Sequence, residues 1–158
     1  MSKTVPPRPI VIAGKRTFII VASQFNAQYV EGLVDHAKQE LHALAPNAAI
    51  SVQRVPGAFE IPVVVRELAS QAKADALIAC GVILKGKTNH AQNLSRSVTD
   101  ALQRIAIDHG VPVVNAVLSF DNETQARERC LGNEINRGTE AARAAVEIAD
   151  VMSKLRGK

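Results

Sequence analysis

The stretch ALIACGVIL, residues 76–84, runs for nine residues without a charged side chain. It falls well short of the roughly 20 residues a membrane span needs. It is also too apolar to leave either of its faces in water. An extended run of this kind is stable only when buried on both faces, which is the position of a strand inside a helix-covered parallel sheet. Three further runs of strand length accompany it: TFIIVAS (17–23), ISVQRV (50–55) and VPVVNAVLS (111–119).

Helical periodicity fills the intervals. Val30, Leu33, Val34, Ala37, Leu41 and Leu44 fall on one face, and Pro46-Asn47 ends that helix. Pro56-Gly57 breaks the second strand, and residues 60–72 are helical with Val64, Leu68 and Ala72 in register. Val98, Ala101, Leu102, Ile105 and Ala106 mark a long helix ending near Gly110. Asn122 with Gln125 has the form of a capping box, opening a short helix that ends near Gly132. Ala141, Ala145, Ile148, Met152 and Leu155 carry a last helix to the C-terminus. Strand and helix alternate four times. The expected fold is α/β, a three-layer sandwich with a four-stranded parallel sheet flanked by helices, in flavodoxin-like layering. No linker or repeat divides the chain, so residues 1–158 are expected to form a single domain. Residues 1–14, proline-rich from Val5 to Pro9, are expected to form an extended N-terminal arm.

Composition narrows the function classes. Hydrophobic residues make up 47% and charged residues 22% of the chain, as in a soluble globule. The N-terminus lacks the apolar segment of a secretory signal, so a cytoplasmic location and no membrane association are expected. Cys80 and Cys130 are far apart in sequence, and the four histidines have no ligand spacing. No disulfide framework and no metal are therefore expected. The net charge of +4 is scattered, aromatics are 3% and there is no Trp. That leaves no stacking platform for nucleic acid, while small anionic substrates remain compatible.

The segment GVILKGKTNH (81–90) fits the regular expression of the triphosphate P-loop, G-x-x-x-x-G-K-[ST]. A P-loop needs the four residues after its first glycine to wrap around phosphate. Here three of the four are Val82, Ile83 and Leu84, which continue the strand. What survives is a glycine turn opening a helix, with free N–H groups and a dipole end suited to a simpler phosphate. A P-loop nucleotide kinase stays as a remote alternative.

In open parallel sheets the ligand site lies at the carboxyl ends of the strands. Those ends are Ser23 to Asn26, Val55 to Glu60, Lys85 to Thr88 with His90, and Ser119 to Asp121. Their wording, Phe25-Asn26, PGAFEIP (56–62), Gly-x-Thr-x-His (86–90) and Asp121-Asn122-Glu123-x-Gln125-Ala126-x-Glu128-Arg129, resembles the 6,7-dimethyl-8-ribityllumazine synthase family. Order and spacing agree from about residue 15 to 153.

The resemblance implies the penultimate step of riboflavin biosynthesis. In that step 5-amino-6-ribitylamino-uracil condenses with 3,4-dihydroxy-2-butanone 4-phosphate, with loss of phosphate and water and with no cofactor. It implies a homopentamer with active sites between subunits, in some members an icosahedral capsid of pentamers, and riboflavin synthase as a partner. It assigns Phe25 to stack on the pyrimidine, with Asn26 beside it. Gly57, Ala58, Phe59 and Glu60 hold the ribityl chain, and Ile83 and Leu84 offer backbone groups to the uracil. Gly86, Lys87 and Thr88 form the phosphate turn, with Arg129 as a clamp reaching across the subunit boundary. His90 is the catalytic proton carrier. Arg137 lies near the substrate, and Glu140 is a possible partner of the histidine. Imidazole, with an ordinary pKa of about 6.5, suits a reaction that both gives and takes protons.

Departures from the family pattern are specific. Ala91 and Gln92 follow His90 where an aromatic and then an acid are usual, and Asn115 stands where Phe is usual. Arg137 replaces a usual Lys, and the loop from Cys130 to Asn136 lacks the common Ala-Gly-Thr-Lys wording. These leave open a second reading, a flavin- or lumazine-binding or shell-forming paralogue with weak catalysis. The stretch Gly132 to Gly138 carries no insertion relative to shell-forming members, which permits a capsid.

Overall fold

A computed structural model describes residues 2–158. In chain order the elements are β1 (Thr17–Ser23), α1 (Ala27–Leu44), β2 (Ala49–Val55), a 3-10 turn at Ala58–Glu60 and α2 (Ile61–Ser70). There follow β3 (Ala76–Leu84), α3 (His90–His109), β4 (Val113–Phe120), α4 (Glu123–Cys130) and α5 (Arg137–Leu155). The four strands form one parallel sheet in the order β2-β1-β3-β4. Helices α1, α4 and α5 cover one face, and α2 and α3 the other. This is the α/β three-layer arrangement expected from the alternation.

β3 shows why its sequence is so apolar. Ala76, Ile78, Cys80 and Val82 enter the core beneath α1 and α5, while Leu77, Ala79 and Ile83 enter the core beneath α2 and α3. Both sets are buried. Each fully buried Ile, Leu or Phe in these layers contributes roughly 2 kcal/mol through removal of apolar surface from water. The four residues between Gly81 and Gly86 do not form a phosphate-wrapping loop. Gly81 to Leu84 pair with Val117 to Phe120 of β4, which removes the geometric basis of the triphosphate reading.

Differences from expectation lie at edges and ends. β2 is an edge strand whose residues are mostly exposed or half-exposed, so unlike β3 it is not buried on both faces. Its Arg54 pairs with Glu31 of α1 at 2.5 Å, and a charged edge of this kind discourages pairing with foreign strands. β4 starts at Val113 because Pro112 has no N–H to give the ladder, although its carbonyl accepts from Leu77. Residues 2–16 carry no helix or strand, in keeping with an arm.

Candidate active site

The site is built first from the ends of β1, β2 and β3. β1 ends at Ser23, and the chain turns through Asn26 at φ 56°, a left-handed conformation that Asn tolerates well. The Asn26 amide donates to the Val82 carbonyl at 2.7 Å, tying this turn to β3. The turn leaves Phe25 about 70% exposed at the mouth of the sheet. Gly57, after the end of β2, lies directly under that ring. A Cβ there would stand 2.9 Å from Phe25 Cδ2 and 3.1 Å from Glu60 Oε2, so only glycine lets the ring and the carboxylate approach. Glu60 accepts the Gly57 N–H at 3.0 Å, which fixes the 3-10 turn carrying Ala58 and Phe59. Ile83 is buried and Leu84 half-buried at the end of β3. Phe25, Asn26 and Gly57 to Glu60 thus stand together at the ends of β1 and β2, tied through Asn26 to β3, which ends at Ile83 and Leu84.

β3 runs out into Lys85, Gly86, Lys87 and Thr88, all exposed, and α3 begins at His90. The Thr88 hydroxyl oxygen accepts the His90 N–H at 3.4 Å. Among the described residues the His90 imidazole makes no hydrogen bond, so the ring is free to meet a substrate. His90 opens a helix of 20 residues, whose aligned peptide dipoles put partial positive charge at this turn. Gly86 and Thr88 line a polar cavity of about 600 Å³ along α3. Arg129, half-buried on α4, lines an adjoining cavity of about 450 Å³. The two cavities share Lys85 and Ser119.

The remaining predicted residues gather at the β4 edge. Asn115, Arg137 and Glu140 line a cavity of about 290 Å³ walled by Leu118, Ala141 and Ala144. Arg137 donates through Nη1 to Glu140, and both side chains are largely buried. Arg137 Nε and Glu140 Oε1 are buried without a protein partner in this chain. Within one chain, therefore, Glu140 pairs with Arg137 and does not reach His90. Asn115 donates to the Thr99 hydroxyl at 3.3 Å and accepts the Val117 N–H at 3.0 Å. The residues predicted for the site thus fall in two groups, one at the ends of β1, β2 and β3 and one on the β4 edge.

Lys85 and Ser119 stood among the strand ends without a role, while Asn136 near the site and Glu40 on α1 went unassigned from sequence. Lys85 pairs with Asp121 at 2.6 Å, bracing the turn at Gly86 to Thr88 against the loop that starts α4. The hydrogen bonds from Lys85 and then Gln125 hold the Asp121 carboxyl below its ordinary value. Ser119 Oγ is buried without a partner between the two cavities. Asn136, 4% exposed, uses its whole amide. Its nitrogen donates to the carbonyls of Cys130 and Gly132, and its oxygen accepts from Gly138 and Thr139. It caps α5 and fixes the loop between Arg129 and Arg137. Asn ahead of a periodic apolar segment was the signal available for it. Glu40, buried under the arm, had no local signal. Among the described residues no group of three His, Cys, Asp or Glu side chains stands close enough to hold a metal ion.

Comparison with known proteins gives a consistent result. A family model described as 6,7-dimethyl-8-ribityllumazine synthase matches residues 15–153. Curated proteins carrying that name are similar over most of their length. One from Polaromonas sp. is 38% identical over 137 residues, covering 86% of each chain. One from Azoarcus sp. is 37% identical over 137 residues, 86% of this chain and 85% of its own. One from Paraburkholderia phymatum is 40% identical over 133 residues, 84% of this chain and 75% of its own.

Proposed function

The chain belongs to the 6,7-dimethyl-8-ribityllumazine synthase family, and on that premise we propose how its own residues make the lumazine of riboflavin biosynthesis. It condenses 5-amino-6-ribitylamino-uracil with 3,4-dihydroxy-2-butanone 4-phosphate. The observation that carries the assignment is the convergence of Phe25, Gly57 to Glu60, Ile83 and Leu84 beside a phosphate-type turn that leads into His90.

The pyrimidine lies on the exposed Phe25 ring and hydrogen-bonds to backbone groups at Ile83 and Leu84. The ribityl hydroxyls reach Asn26 and the segment Ala58 to Glu60. The phosphate of the four-carbon substrate sits on the N–H groups of Gly86, Lys87 and Thr88, at the positive end of α3. Arg129 adds a planar, bidentate cation to the phosphate. The amine attacks the ketone as His90 supplies a proton to its oxygen. Water then leaves, phosphate is eliminated and the second ring closes, each with a proton transfer that imidazole can mediate. Holding two reactants in register supplies much of the remaining rate. Asn115, Arg137 and Glu140 complete the pocket from a neighbouring copy, because in a single chain they stand apart from His90 on the β4 edge.

The same reading gives a homopentamer, with an icosahedral shell of pentamers as the higher assembly, in the cytoplasm beside riboflavin synthase. Support comes from bulky apolar side chains left in water by one chain: Phe59 and Val63 on one side, Ile107 on α3 and Ile10 on the arm, each at least 67% exposed. Residues 1–158 act as one domain, which the single sheet and the match over residues 15–153 support. Light scattering of the purified protein reads the assembly, and a monomer at micromolar concentration would contradict it. Mixing both substrates and following lumazine absorbance tests the activity.

A second reading, a lumazine- or flavin-binding paralogue with weak catalysis, draws on Asn115 and on Ala91, which is buried against the second core layer. Tight lumazine binding with negligible turnover would favour it.

A further inference from the structure

The N-terminal arm is attached to the domain at five points. Asn47 donates to the Ala13 carbonyl at 2.8 Å, and Ile12 N–H donates to Leu44 at 2.8 Å. Arg8 donates to Glu40 Oε1 through Nε at 3.1 Å and Nη2 at 2.5 Å. Arg143 of α5 donates through Nε to Glu40 Oε2 at 2.8 Å and through Nη1 to the Pro6 carbonyl at 3.1 Å. The last point lies beside the β4-edge cavity, where Arg137 Nη2 donates to the Ser2 carbonyl at 2.6 Å.

Glu40 is the centre of this arrangement. It is 8% exposed and receives hydrogen bonds from two guanidinium groups on two different elements. Burial alone would raise its carboxyl, but the hydrogen bonds from Arg8 and Arg143 outweigh burial and leave it below its ordinary value. A buried carboxylate between two arginines is costly unless both partners stay in place. The pair therefore ties arm and α5 together.

The consequence falls on Arg137. With Nη1 on Glu140 and Nη2 on Ser2, both ends of the guanidinium are fixed, and Nε is left without a protein partner. A lysine at this position is a single point of charge and would not span both acceptors in the same plane. We infer that the arm is a working part of the substrate pocket, in which Glu40 is a positioning residue that docks residues 2–8 so that the Ser2 carbonyl orients Arg137 toward the pyrimidine substrate. The inference rests on the reading that Arg137 lines the substrate pocket.

The test compares full-length protein with a form lacking residues 2–7 and with Glu40→Gln and Arg8→Ala, each also in an Arg137→Ala background. Because Arg8 is about half exposed, its variant keeps the fold testable if Glu40→Gln destabilises it. All three changes are expected to raise KM for the ribitylamino-uracil about three- to tenfold, the scale of one ordinary hydrogen bond lost indirectly through Arg137. They leave kcat and KM for the butanone phosphate nearly unchanged, with assembly intact by light scattering. In the Arg137→Ala background, where KM is already raised, they add nothing. An unchanged KM in the truncated form, an additive loss in that background, or a loss confined to assembly overturns the inference while leaving Arg137 in the pocket. A silent Arg137→Ala variant overturns both the inference and the place of Arg137 in the pocket.

Discussion

His90 is the residue with the most chemistry to lose and little structure to lose. It is exposed at the first turn of α3, and only its backbone N–H is used, by Thr88. His90→Ala is expected to lower kcat by about 10²-fold, the lower end of general acid–base contributions, with both KM values within a few-fold. Steady-state kinetics with each substrate varied in turn check this, and loss of saturation in place of loss of rate would move His90 into a binding role. Gly57→Ala acts differently. Its new Cβ would stand 2.9 Å from the Phe25 ring, which is exposed and can swing away. Its expected effect is a rise in KM for the pyrimidine of about three- to tenfold, the scale of an aromatic stack. Stability by denaturant titration should be nearly unchanged. The thiols give a control on folding. Burial pushes Cys80 and Cys130 up to about 12, so neither should react with a disulfide reagent at pH 8 until the chain is unfolded. Most of the mouth residues were legible in sequence because they sit within a few positions of strand ends. Glu40 was not. The partners of Glu40 lie 32 and 103 residues away, and Ser119 stood at a strand end but its hydroxyl has no partner in this chain to suggest a role.

At the scale of elements, period and punctuation identified each strand and helix. β3 matched residue for residue, and Pro46-Asn47 follows closely on the end of α1. What sequence did not show was neighbourhood. β2 alternates because it lies at an edge, and nothing inside ISVQRV says which strand will be left uncovered. The spacing between Arg129 and Arg137 was likewise illegible, because it depends on Asn136 folding a loop around its own amide. Asn136→Ala would remove the α5 cap and leave the carbonyls of Cys130 and Gly132 unpaired. The expected loss is about 2–4 kcal/mol by denaturant unfolding. Asn122→Ala removes only the cap to Gln125 on an exposed helix start, and its expected loss is about 1 kcal/mol. Equal losses for the two would mean that the α4–α5 loop is held by something other than Asn136.

At the scale of the whole molecule, one chain carries both halves of the proposed pocket and leaves them apart. The mouth of β1, β2 and β3 carries the platform and His90, and the β4 edge carries Arg137 and Glu140. This arrangement makes sense when the edge of one copy faces the mouth of the next. Acid should act on the arm before it acts on the sheet. The carboxyl of Glu40 is held below its ordinary value, and the groups facing it, Arg8 from the arm and Arg143 from α5, keep their charge. Its stabilising contribution is complete above the ordinary carboxylate range and is lost as pH falls through the lowered folded value. Proteolytic release of residues 2–8 should therefore accelerate in acid, and Glu40→Gln should show that release already at neutral pH. The most direct measurement is the two-substrate assay on folded, assembled protein, run beside His90→Ala. The expected result is lumazine formation well above the uncatalysed background, reduced about 10²-fold in the variant. Background-level formation by the assembled wild-type protein, or an undiminished rate in the variant, would contradict the assignment of this site.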